Sequence, residues 1–127
     1  MSINVLLVDD EPGLTEALSK RLSKRGYTVH EADSGKGALD LLDRGTGVDV
    51  VVLDVRMAGV NGLETLHRIK SAYSGVEVVM LSAYATPQCA VECRRWGARD
   101  FLRKPVHLEE LVAAIDAAAS SRHPRPQ

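Results

Sequence analysis

LLVDDEPG, Leu6 to Gly13, is an apolar run that breaks into three consecutive acids, Asp9, Asp10 and Glu11, before a proline and a glycine. The run from Ile3 to Val8 has the length of a strand. From Pro12 to Arg25 the spacing of Leu14, Ala17, Leu18 and Leu22 is helical, and Gly26 stands as a C-terminal cap. A strand thus passes into a helix across a junction of acids, and this unit sets the pattern for the rest of the chain.

The same alternation continues to the last helix. Tyr27 to Glu31 alternates as a strand, and Gly35 to Arg44 is a helix with Ala38, Leu39, Leu41 and Leu42 on its apolar side. Val48 to Leu53 is apolar almost throughout, as expected of a strand covered on both faces. Leu63, Leu66 and Ile69 stripe a helix from Gly62 to Ala72, and Val76 to Leu81 is the fourth strand. Thr86 as N-cap and Pro87 at the first helical position open a helix that runs to Arg95, with Gly97 beyond it. Arg99 to Leu102 is a short fifth strand, and Leu108, Leu111, Val112, Ile115 and Ala119 mark the last helix. Five strands interleaved with five helices predict an α/β domain, a parallel sheet with helices on both faces. The tail SSRHPRPQ from Ser120 reads either as a frayed terminus or as the start of a linker.

Composition narrows the function classes. A chain of 127 residues suits one domain, long enough to bury about two thirds of its unfolded surface without a disulfide or metal staple. With 16 basic and 17 acidic residues the net charge is -1, which argues against nucleic-acid binding and against a polybasic membrane anchor. The first apolar stretch is too short for a signal sequence or a membrane span, so a cytoplasmic protein is expected. Cys89 and Cys93 stand four residues apart with no other cysteines, which fits a reducing compartment and helix packing better than half of a metal site. His30, His67, His107 and His123 carry no ligand spacing. Trp96 is expected to be partly core, beside Arg94 and Arg95 at the end of its helix.

Ligands of open parallel sheets bind outside the carboxyl ends of the strands. There the chain places Asp9 and Asp10, Asp54, Ser82, and Lys104 before Pro105. Strand order 2-1-3-4-5 lines all of them along one crevice about 14 Å wide, whereas 3-2-1-4-5 separates Asp54 from the acidic pair. Three carboxylates there repel one another by about 3 kcal/mol per pair at 5 Å and an effective dielectric of 20. A positive group is needed, and Mg2+, which takes carboxylates, waters and phosphate oxygens, is the economical choice. Lys104 and Ser82 then read as anion ligands facing Asp54 as a carboxylate nucleophile for a phosphoryl group. Singly, each residue has a plainer account: acids at a helix start favour the macrodipole, Asp and Ser are common in turns, and a lysine can be solvated. Their convergence on adjacent strand ends favours one shared site.

VDDEPG, LDVRMAGVNG, MLSAYA and GARDFLRKP, in this order and spacing, resemble the receiver domains of bacterial two-component response regulators, from Ile3 to about Ala119. The resemblance implies a flavodoxin-like, CheY-like domain over residues 1–119, followed by a tail or linker over 120–127. It implies that Asp54 accepts a phosphoryl group from a phosphohistidine on a sensor histidine kinase or phosphotransfer protein. Asp10, Asp54 and the backbone carbonyl of Arg56 would hold Mg2+, with Asp9 acting through water. Ser82 and Lys104 would bind the phosphoryl oxygens, the Lys104–Pro105 peptide would be cis, and Phe101 would be the switch aromatic that turns inward when Ser82 engages phosphate. The signal would pass through the fourth helix, fifth strand and fifth helix to an output domain or downstream protein, a surface also suited to a homodimer. The segment from Thr86 to Pro105 also resembles receivers of sigma-54-dependent activators.

Ala58 stands where proline is common in the family, Phe101 where tyrosine is and Val106 where an aromatic is, and Arg56 and Tyr84 occupy the two positions that flank the phosphorylation site. Other functions fit less well. An aspartyl-nucleophile phosphatase of the haloacid dehalogenase type needs an acid two residues after the nucleophile, where Arg56 stands. A degenerate receiver acting only as a binding surface would not keep the acids, Ser82 and Lys104 together. A dinucleotide site would need GxGxxG in the first turn, in place of acids that repel a pyrophosphate.

Overall fold

The computed structural model describes residues 2–57, 60–83 and 86–121, so Ala58, Tyr84 and the tail from Arg122 lie outside the described residues. Its elements are β1 (Asn4–Val8), α1 (Pro12–Lys24), β2 (Thr28–Ala32), α2 (Gly35–Asp43), β3 (Val50–Asp54), β4 (Arg56–Met57), β5 (Val60–Asn61), α3 (Gly62–Ala72), β6 (Glu77–Ser82), α4 (Pro87–Arg95), β7 (Asp100–Arg103) and α5 (Leu108–Ser120). Five strands form one parallel sheet in the order β2-β1-β3-β6-β7. Counting only the strands of that sheet, this is the order 2-1-3-4-5. β4 and β5 are an added antiparallel pair, Arg56 opposite Asn61 and Met57 opposite Val60. Two-residue strands have no periodicity to read, which is why the sequence gives no hint of them.

The central strand β3 is buried at all five positions, and its side chains alternate between two separate cores. Val51 and Leu53 join Leu66 and Ile69 of α3, Leu42 of α2 and Cys93 of α4 on one face. Val50 and Val52 join Leu18 and Leu22 of α1 and Leu111 and Ile115 of α5 on the other. Burying a large aliphatic side chain removes enough apolar surface from water to stabilise the fold by about 1.5–3 kcal/mol. That gain is spread over both faces, so neither helical layer is an accessory to the other.

Helix ends explain where the strands begin. α1 closes with Gly26 at φ 94°, the Gly26 N–H donating to the Ser23 carbonyl and the Tyr27 N–H to that of Leu22 at 3.2 Å. This is the Schellman arrangement, which needs a left-handed residue that glycine adopts without strain. Tyr27 spends its donor on the helix, so β2 begins at Thr28 and not at Tyr27. At the other end of the chain α5 continues to Ser120, where a tail was expected, and Ser121 is its C-cap. Ala17 is exposed, although it keeps helical spacing with Leu18 and Leu22. Trp96 is also more exposed than expected, at 41%. Its ring stands edge-on to His67 with centroids 4.7 Å apart, so it caps the outside of the α3 and α4 layer and does not fill the core. Among the described residues, no helix is long and apolar enough to cross a membrane.

Candidate functional site

β1, β3 and β6 all end at the same rim of the sheet, which brings Asp9, Asp54 and Ser82 to adjacent positions, each buried. Asp9 directly follows β1. Its N–H donates to the Ala32 carbonyl at 3.2 Å, and its Oδ1 accepts from the Glu11 N–H at 3.0 Å, so the carboxylate is locked to the first turn of the chain beyond the strand. Asp54 is the last residue of β3, and the next N–H, from Val55, donates to the Leu81 carbonyl at 2.9 Å. The chain is therefore held in line with β6 just past the carboxylate. Ser82 ends β6, and its carbonyl accepts from the Lys104 N–H at 2.9 Å. Lys104 leaves β7 through a cis peptide bond to Pro105.

The Lys104 ammonium reaches across the rim. Its Nζ donates to Asp9 Oδ2 at 2.7 Å, to Asp54 Oδ2 at 3.2 Å and to Glu11 Oε1 at 3.2 Å. An ammonium has three N–H donors, so all three have acceptors here. Burial alone would lower the pKa of this lysine. The hydrogen bond to Asp9 and the charges of Asp54 and Asp9 outweigh burial and hold it above the ordinary lysine value. The fold thus offers these carboxylates a positive charge of its own, beside the divalent cation expected from the sequence. Lys104, expected as an anion ligand, here bridges the acids.

Four carboxylates against one ammonium still leave a negative excess. Asp9, Asp10 and Asp54 each offer an oxygen, and these oxygens lie within 4.8 Å of one another. Oxygens bound to one Mg2+ at about 2.1 Å in an octahedron stand about 3–4 Å apart, so this donor set fits a hard divalent cation with little movement. Arg56, whose backbone carbonyl completes the expected ligand set, opens β4 two residues beyond Asp54. Asp9 and Asp10 also line a groove of about 810 Å³ together with Thr15, Glu16, Glu31 and Asp33. The groove lies on the side of α1 and β2.

Phe101 stands opposite Met80 in the sheet, half-buried against the core shared with α4. Two site residues were not legible as such in the sequence. Glu11 reads there as a helix-start acid, yet as the N-cap of α1 its side chain makes no capping bond, and it turns to Lys104 instead. Glutamate is a poor N-cap, and that is the signal that points to another use. Gly62 is the second: a Cβ there would lie 2.5 Å from the carbonyl oxygens of both Asp54 and Val55. Its N–H donates to the Val55 carbonyl at 2.9 Å. Only glycine lets the start of α3 press against the backbone that carries Asp54.

The family model described as "Response regulator receiver domain" matches residues 5–116. The transcriptional regulatory protein GlrR of Escherichia coli K12 is 38% identical over 121 residues, which are 95% of this chain and 27% of that protein. The chain thus spans about a quarter of the length of that curated relative. The non-phosphorylated HemR receiver domain from Leptospira biflexa superposes with a TM-score of 0.88 at 31% identity, covering 98% of this chain and 100% of that one. A response regulator protein from Burkholderia pseudomallei, solved "with a phosphorylated aspartic acid, calcium ion and citrate", gives a TM-score of 0.84 at 27% identity over 94% of this chain and 69% of that one. A doubly wound sheet with acids and a lysine at its carboxyl rim agrees with these matches. This chain belongs to the response regulator receiver domain family.

Proposed function

We propose that this domain accepts a phosphoryl group on Asp54 from the phosphohistidine of a sensor histidine kinase or phosphotransfer protein. The observation that carries the proposal is the convergence on one rim of the Asp54 carboxylate, the Lys104 ammonium 3.2 Å away, and two further acids whose oxygens lie within 4.8 Å. An Asp54 oxygen attacks phosphorus, the new O–P bond forms as the donor's P–N bond breaks, and the electron pair leaves on the imidazole. Phosphoryl transfer asks the protein mainly for positioning and charge neutralisation. Lys104 supplies one positive charge. Mg2+, which Asp10, Asp54 and the Arg56 carbonyl would hold with Asp9 acting through water, would supply two more when bound.

Phosphorylation adds roughly two negative charges and three acceptor oxygens beside Ser82 and Lys104. Engagement of the Ser82 hydroxyl by the phosphoryl group vacates space at the end of β6, into which the half-buried Phe101 turns. This biases the α4, β7 and α5 surface between two states and so alters an output domain, a downstream protein or a homodimer built on that surface. The domain acts in the cytoplasm as a switch, and slow self-dephosphorylation is its only other chemistry. The similarity to transcriptional regulators supports an output in transcription.

Intact mass after incubation with Mg2+ and acetyl phosphate tests the acceptor. The expected result is a phosphoryl adduct that is absent without metal and absent in Asp54→Asn. An adduct of equal yield in Asp54→Asn would refute Asp54 as the acceptor.

A further inference from the structure

Lys104 has three donors and three carboxylate partners, and they are not equivalent. Asp9 and Asp54 are 5% and 7% exposed in their side chains, whereas that of Glu11 is 63% exposed. With the phosphoryl group carried on the other Asp54 oxygen, Oδ2 keeps its Lys104 bond, so the N–H that the phosphoryl group needs from Lys104 is given up by Asp9 or by Glu11. Releasing Asp9 would strand a buried carboxylate, which is costly. Glu11, once released, is solvated at once. The backbone favours the same exchange, because the Glu11 N–H stays bonded to Asp9 Oδ1 whatever its side chain does.

We infer that Glu11 is a positioning residue that holds Lys104 in the resting state and competes with the incoming phosphoryl group for it. This rests on Asp54 being the acceptor and goes beyond it, by giving a residue outside the acceptor and metal set control over the rate. In the resting protein the Glu11 contact lowers the energy of the state that must be left. In the phosphorylated protein the Glu11 carboxylate is solvated and the third donor belongs to phosphate. The barrier to phosphorylation therefore includes loss of the Glu11 contact, while the geometry of Asp9, Asp10 and Asp54 is untouched by it.

The test is phosphorylation by acetyl phosphate at saturating Mg2+, with maximal rate and half-saturating donor concentration measured separately. The proteins are the wild type, Glu11→Gln, Glu11→Asp and Glu31→Gln. Glu31 is exposed and lines the same groove as Asp9 and Asp10, so its variant removes the same charge from the neighbourhood without touching Lys104. An exposed ion pair is weak, so the expected gain in maximal rate is about two- to fivefold for Glu11→Gln. Glu11→Asp keeps the charge but is one methylene shorter, and it is expected to gain as well. Glu31→Gln is expected to change the half-saturating concentration at most, with its maximal rate like that of the wild type. A second readout is independent of rate: the Lys104 side-chain NMR signal shifts in unphosphorylated Glu11→Gln and Glu11→Asp, and not in Glu31→Gln. Wild-type maximal rates in both Glu11 variants, or the same acceleration in Glu31→Gln, would overturn the inference. An adduct that forms on the wild type with those outcomes leaves Asp54 as acceptor and removes only the role of Glu11. Absence of any adduct on the wild type, with the Lys104 signal unmoved in both Glu11 variants, would overturn both.

Discussion

Gly62 shows how much one missing methyl group decides at this site. Its place at the head of α3 brings a helix start against the Asp54 and Val55 carbonyls, and backbone cannot yield as a flexible side chain can. Gly62→Ala is therefore expected to destabilise the fold by about 1–3 kcal/mol through overpacking. It should also slow phosphorylation, because the chain that displaces to admit the methyl group is the one bearing Asp54 and Arg56. Denaturant midpoints and adduct formation rates check both parts, and an alanine variant with wild-type stability would show that the contact is relieved elsewhere. The acids, Asp54, Ser82 and Lys104 are legible in sequence because topology alone sends strand ends to one rim. Gly62 and Glu11 are not, because a close backbone approach and a side chain turning away from its own helix are facts of three dimensions. The triple contact of Lys104 is hidden for the same reason: spacing shows that a lysine reaches the crevice, not which oxygens it meets there.

Among the elements, α4 has ends that chemistry makes unlike. Thr86 caps its start, the hydroxyl accepting from the Cys89 N–H at 3.1 Å, as the Thr-Pro pair in the sequence implies. Its last turn closes through Gly97 at φ 106°, with the Ala98 N–H donating to the Cys93 carbonyl at 2.9 Å. Gly97 also lies over the Lys70 side chain, whose Nζ donates to the Val76 carbonyl at 2.9 Å, so the far end of α4 is fastened to α3 and to the entry of β6. The helix and its bounds were readable from Thr86, Pro87 and Gly97; this fastening was not, because nothing in the spacing links residue 70 to residue 97. Cys93 lies in the buried face of the helix, and burial, with Cys89 beside it, pushes its thiol up from 9.0 to about 12. The thiolate is disfavoured in the fold, so the native state keeps a proton that the unfolded chain releases. The stabilisation is whole below pH 9 and is lost as the pH rises toward about 12. Tyr27 acts in the same direction, its hydroxyl raised to about 12 by burial and by its hydrogen bond to Asp116. Urea midpoints are expected to fall across this alkaline range, and to fall less steeply in Cys93→Ala. An unchanged slope in that variant would assign the loss to other groups.

At the scale of the whole molecule, strand order and helix placement follow from the sequence with little ambiguity. Uniformly apolar strands such as β3 demand cover on both faces, and the polar strand ends choose between the two common orders. Element bounds moved by a residue or two where a helix cap borrowed the first donor of the next strand, as at Tyr27. The two cores described above have a consequence for coupling. A sheet one residue thick separates Ile69 of α3 from Ile115 of α5, and each is fully buried in its own cluster. Ile69→Val and Ile115→Val should each cost about 0.5–1.5 kcal/mol. Combined, they should add to within about 0.5 kcal/mol, since they share no partner across the sheet. A double-mutant cycle on denaturant midpoints checks this, and a larger coupling energy would mean that the sheet transmits packing strain. Additivity would make the mutational histories of the two faces separable. Either layer can accumulate changes without compensation from the other, and the strand backbone, with Asp54 at its carboxyl rim, is the common ground that both must leave in place.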